Sequence, residues 1–88
     1  MNWFTIRIQD KSDKTRGMIG CSPDSIEVLS QRAARGDYIR LDDMLYWDRG
    51  EYKSLTQWDG ESIPTIYINP ATIISIMQFK ADPRTIAK

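Results

Sequence analysis

Cys21 is the one side chain in this sequence with the makings of a nucleophile. It stands directly before Ser22-Pro23-Asp24-Ser25-Ile26, a run that reads as a helix start, and a helix N-terminus lowers the pKa of a neighbouring thiol. A thiolate enzyme also needs a base. The chain contains no His, which removes the thiolate–imidazole pair, so Cys21 is read as a buried structural residue.

Carboxylates gather at Asp42-Asp43 and around Asp48 and Glu51. Glycosidase-type chemistry needs two carboxyls across a cleft, one of them with its pKa raised by burial. Adjacent acids beside a hairpin turn are ordinarily solvated. No run of alternating acids suits a calcium loop, and one Cys without His cannot make a zinc site. No metal and no cofactor is expected, and the chain reads as a non-enzyme. Gly17 and Gly20 frame a loop-to-helix junction that could hold an anion, but neither the dinucleotide glycine fingerprint nor the P-loop pattern is present.

The aromatic residues are the stronger lead. Three Trp, four Tyr and two Phe are a generous load for 88 residues. They cannot all point inward if the aliphatic parity of each strand faces the core. Outward Trp and Tyr supply contact area of the kind that dominates protein interfaces, and they can also stack bases. Trp3, Tyr46, Trp47 and Trp58 are the expected recognition residues. For nucleic acid, Arg7, Lys11, Lys14 and Arg16 are the expected phosphate contacts.

Positioning these residues falls to a small number of elements. Trp3 to Gln9 alternates, with Phe4, Ile6 and Ile8 on one face and Trp3, Thr5 and Arg7 on the other, hence a half-buried strand. Asp10 to Gly17 is polar and reads as a loop, after which Gly17 to Gly20 could return as a short strand. A helix is expected over 23–35. Ser22 or Asp24 serves as its cap, Ile26, Leu29 and Ala33 form its apolar stripe, and Gly36 stops it.

From Tyr38 to Trp47 one parity carries Ile39, Leu41, Leu45 and Trp47, with Asp43 in conflict; a bulge near Asp42-Asp43 resolves it. Asp48-Arg49-Gly50 turns the chain into a strand over 51–58, and Asp59-Gly60 opens the next connection. Thr65 to Phe79 reads as two short strands around an Asn69-Pro70 corner, because Pro70 lacks an N–H and pushes Asn69 out of helical geometry. The fold class is α+β and β-rich. About five mainly antiparallel strands form a strongly bent sheet or a small, partly open barrel, with one helix after the first strand.

One segment resembles a known family. Ile68-Asn69-Pro70-Ala71-Thr72-Ile73-Ile74-Ser75-Ile76 is similar to the strand–3₁₀ turn–strand that ends Sm-like and SH3-like small barrels. The likeness spans nine residues of 88 and implies a barrel and, in the Sm-like case, RNA binding. The order of elements departs from the Sm-like pattern, in which the helix precedes every strand.

Length and charge narrow the remaining classes. Eighty-eight residues make a single domain, 1–88, with a loosely ordered tail near 81–88. A chain this short buries only about 60–65% of its unfolded surface, which favours reinforcement by self-association into a homo-oligomer. Formal net charge is zero, but residues 42–61 carry a local balance of −4, against a phosphate backbone lying there. No apolar run approaches the ~20 residues of a membrane span. One thiol and an N-terminus unlike a signal peptide point to the cytoplasm. The expected function is a small interaction or adaptor module that binds a protein partner, or a second copy of itself, through outward aromatics. The alternatives are a small-barrel RNA binder and a self-associating structural protein.

Overall fold

The computed structural model describes residues 1–55 and 65–86. Six strands and two helices follow in order: β1 (Asn2–Gln9), β2 (Thr15–Ser22), α1 (Ile26–Ala34), β3 (Ile39–Asp48), β4 (Glu51–Ser54), β5 (Thr65–Ile68), a 3₁₀ turn (Pro70–Thr72), β6 (Ile73–Gln78) and α2 (Pro83–Ile86). Every pairing is antiparallel. The strand order is β4-β3-β2-β1-β6, with β5 also pairing β3. The sheet is open and β-rich, with one more strand than the five expected.

The extra strand comes from residues 15–22. The expected loop over 10–17 ends at residue 14, because Thr15–Ser22 pairs with Gln9–Asn2 along its whole length. Asp10 organises the five residues between. Its carboxylate accepts from the backbone N–H of Ser12 and Lys14 and from the Ser12 hydroxyl, and it pairs with Arg16 at 3.3 Å. Those bonds, the Ser12 hydroxyl first, hold the Asp10 carboxyl below its usual pKa.

α1 is shorter than the 23–35 expected. Ser25, extended at φ −75° and ψ 165°, is the cap, and its hydroxyl accepts from Val28 N at 3.2 Å. Ser22 instead caps a turn, accepting from Asp24 N at 3.1 Å. At the other end Asp37 N donates to Arg32 O and Gly36 N to Ala33 O, the paired bonds of a Schellman stop.

β3 bends as its polarity conflict requires. Ile19 faces Leu45 while Cys21 faces Asp42, so β3 holds one residue more than β2 there, and Asp43 adopts φ +49°. The bulge flips parity: Leu41 and Met44 join one cluster while Leu45 joins the other. A second irregularity sits in β6, where Ile73 faces Ile8 and Ser75 faces Arg7, leaving Ile74 without an opposite residue and exposed. The hairpin between β3 and β4 turns on Arg49 and Gly50, both at positive φ, which is the twist-matched two-residue turn.

The sheet buries both faces. On the first, Phe4, Ile6, Ile39, Leu41, Met44 and Ile68 pack with Leu29 of α1. The second face carries a smaller cluster of Trp3, Cys21 and Leu45, flanked by Ile19, Tyr52 and Phe79. β4 and β6 stand at opposite ends of the strand order, yet the rings of Tyr52 and Phe79 meet edge to face with centroids 6.0 Å apart. Four spacings in a flat sheet would separate them by about 19 Å. The sheet is therefore strongly coiled about this face.

The tail expected to be loose contains α2. Asp82 starts it: its carboxylate accepts from Arg84 N at 3.0 Å, its carbonyl accepts from the Thr85 hydroxyl at 2.7 Å, and Pro83 takes the first helical position. No helix among the described residues is long and apolar enough to cross a membrane.

Candidate functional site

Residue by residue, the four expected recognition aromatics part company. Trp3 is 8% exposed and belongs to the second cluster, so its place on an outer binding surface is corrected to the core. Its parity is opposite to Phe4 and Ile6 as expected. The cover at that end comes from Phe79, which packs against the cluster, and from Arg84. Arg84 lies over the Trp3 ring at 5.0 Å, and Phe79 N donates to Trp3 O at 2.8 Å.

Tyr46 and Trp47 are both exposed, at 39% and 55%. Successive strand residues point to opposite faces, so they do not form one surface. Trp47 shares the face of Leu45, the second face, and Tyr46 shares that of Met44. Trp58 lies outside the described residues.

The face that carries Trp47 is the candidate site. Tyr52 stands directly opposite Trp47 in the β3–β4 ladder, with ring centroids 4.7 Å apart and planes at 70°. This edge-to-face contact braces the two rings against each other. The register extends the same face through Ile19 and Thr5 to Met77, which is 57% exposed. Arg7 lies two residues beyond Thr5 on that face and is exposed. The result is an aromatic and thioether surface with one cation at its margin, bounded at the far end by α2. Met77 was not anticipated. Its alternation with Ile73 and Ile76 in β6 is masked in the sequence by the bulge at Ile74.

The expected phosphate contacts are dispersed. Arg7 is on the second face. Arg16 faces Ile8 on the other face and is engaged by Asp10, and Lys11 and Lys14 are exposed in the β1–β2 loop.

The chemistry expected of Cys21 is that of a structural residue. It is 1% exposed, its thiol donates to Asp43 Oδ2 at 3.5 Å, and burial together with that carboxylate pushes its pKa up to about 11. A helix N-terminus does not activate it, because Cys21 sits inside β2 and α1 starts at Ile26.

Asp42 is likewise occupied. Its Oδ1 accepts from the Thr65 hydroxyl at 2.7 Å and from Arg40 Nε at 3.0 Å, and these bonds, Thr65 first, hold its carboxyl below the usual range. A groove of about 410 Å³ opens beside it between Ser22, Asp24, Arg32 and Arg40. Its charges are already matched, Arg32 with Asp24 and Arg40 with Asp42. Among the described residues no group of His, Cys, Asp or Glu is arranged to hold a metal ion. Comparison with protein-family models, with curated proteins and with solved structures gives no match to this chain.

Proposed function

We infer that the chain is a non-enzymatic interaction module that takes a protein partner on the second face of its sheet, through Trp47 and Tyr52 with Met77 and Ile19 around them. The observation that carries this reading is the Trp47–Tyr52 pair: a Trp more than half exposed, yet packed edge to face against a neighbouring ring. Ordering such a side chain on binding costs little, and Trp and Tyr are the residues in which interface energy concentrates. The thiol kept protonated by burial and the carboxylates engaged in ion pairs agree with a binding role. A buried free thiol fits a reducing compartment, and the cytoplasm is the location this reading carries.

The resemblance to the Sm-like and SH3-like small barrels rests on the 3₁₀ turn between β5 and β6, and a shape of that kind, in an open form, is part of this proposal. A nucleic-acid reading has one observation in its favour: Arg7 shares the face of Trp47, a cation beside a stacking ring.

The test is capture from a native cell extract with the wild-type chain, Trp47→Ala and Tyr46→Ala. A protein held by wild type and Tyr46→Ala but lost by Trp47→Ala is the expected result. Equal behaviour of the two variants contradicts it, and recovery of RNA whose retention falls steeply with salt favours the second reading. Light scattering across a concentration series tests the remaining occupant, a second copy. A Trp47-dependent dimer makes the partner another molecule of this chain.

A further inference from the structure

The two apolar clusters are closed by very different means. Strands and the nine-residue α1 close the first. The Trp3–Cys21–Leu45 cluster is closed by the segment after β6, in which Pro83 is the buried residue while Lys80, Ala81, Arg84 and Thr85 are exposed. This segment packs against β4 and reaches Trp3 of β1, the two sides of the sheet that its coiling brings towards each other.

Its hydrogen bonds are its own. Arg84 bonds Asp82 through Nε and Nη2, at 3.0 and 2.6 Å, and the Thr85 hydroxyl donates to Asp82 O. Among the described residues the last backbone bond to the sheet is Phe79 N to Trp3 O, and no hydrogen bond from residues 80–86 reaches a strand. What docks the segment is the buried Pro83, the packing of α2 on β4 and the Arg84 guanidinium over Trp3. A unit that is internally bonded and held by side-chain docking alone lifts away whole, without breaking the sheet.

We propose that residues 80–86 are a detachable strap that occludes one end of the recognition face. Closed, it buries Trp3 and Cys21. Open, it adds the Trp3 ring to Trp47 and Tyr52 as one continuous aromatic surface, so docking of the strap and binding of a partner compete. The competition rests on the recognition surface inferred above; the strap itself is tested without a partner.

Cys21 is the built-in reporter, since it is the ladder partner of Trp3 and shares its buried cluster. The experiment is alkylation of Cys21 under native conditions in a series of urea concentrations below the unfolding transition, for wild type, Arg84→Ala, Pro83→Gly and the core variant Leu29→Ala. Strap opening exposes little surface, so the wild-type rate is expected to be nearly independent of urea. Arg84→Ala and Pro83→Gly are expected to react at least tenfold faster than wild type at zero urea, with their unfolding midpoints close to its own. Leu29→Ala lowers the midpoint without that acceleration. A wild-type rate that climbs with urea along the slope of global unfolding overturns the strap, as do strap variants that react no faster than wild type. Either failure leaves the Trp47 surface standing, and failure of the capture experiment leaves this one unaffected.

Discussion

The Arg84 guanidinium lies over the Trp3 ring at 5.0 Å, and together with Phe79 it covers a Trp of outward parity that belongs to the core. Trp3→Ala should therefore behave as a core truncation, with a loss of about 3–5 kcal/mol in urea or thermal unfolding. Trp47→Ala, by contrast, should change stability by no more than about 1–1.5 kcal/mol, the worth of its contact with Tyr52. Similar losses for the two would mean that the faces are wrongly assigned.

Gly20 and Gly17 make a second contrast within one strand. A Cβ on Gly20 would stand 2.8 Å from Met44 Sδ, 2.9 Å from Asp42 O and 3.0 Å from Leu41 Cβ. The carbonyl is backbone at the β3 bulge and cannot swing aside. Gly20→Ala should cost about 1–3 kcal/mol by overpacking. At Gly17 the nearest atom is Thr5 Oγ1 at 3.9 Å, and Gly17→Ala should be neutral or stabilise by about 0.5–1 kcal/mol. Denaturant midpoints of the two variants check this.

The buried thiol gives stability an alkaline limb. Burial raises the folded pKa of Cys21 from 9.0 to about 11, so the thiol's contribution is intact below pH 9 and is lost as pH rises through the folded value. A two-unit shift corresponds to about 2–3 kcal/mol between pH ~9 and ~11. Cys21→Ala should flatten that part of the profile while Tyr and Lys titration stays common to both proteins. Parallel profiles for variant and wild type would contradict the burial of Cys21.

Much of this architecture was legible because local chemistry and global fold agree. Pro70 and Asn69 mark the corner, where Asn69 Oδ1 accepts from Ala71 N at 3.0 Å, and Arg49-Gly50 mark the hairpin. Asp43 on an aliphatic parity disclosed the bulge. Less legible was whatever depends on long-range cover. Nothing adjacent to Trp3 in sequence states that Arg84 returns over it, and parity alone cannot tell a solvated second face from one buried under a distant segment. The β1–β2 hairpin was obscured because Thr15, Arg16 and Gly17 lack the apolar alternation of a strand, yet full pairing with β1 supplies their order. Residue type puts Tyr46 and Trp47 together, whereas adjacency in a strand places them on opposite faces. The signal for α2 was present in Asp82-Pro83, a cap followed by a proline at the first helical position.

Thr65 pins the start of β5 to β3 through Asp42. Thr65→Val removes the hydroxyl that contributes most to lowering the Asp42 pKa, so the carboxyl should titrate closer to its ordinary value in an NMR titration. The sign follows: a depressed folded pKa adds stability above the ordinary carboxylate range, and that stability is lost as pH falls through the folded value. Thr65→Val should therefore soften the acid limb of the stability profile. An unmoved Asp42 pKa would show that Arg40 alone sets it.

The recognition surface is tested most directly by the affinity of the captured partner for three proteins, measured by calorimetry at fixed salt. Trp47→Ala should weaken binding by about thirtyfold or more, as expected for a hot-spot Trp worth about 2 kcal/mol or more. Tyr46→Ala, on the opposite face, should remain within about threefold of wild type, a difference of well under 1 kcal/mol. Equal affinities for wild type and Trp47→Ala, or a greater loss at Tyr46, would place the binding site elsewhere and contradict the account.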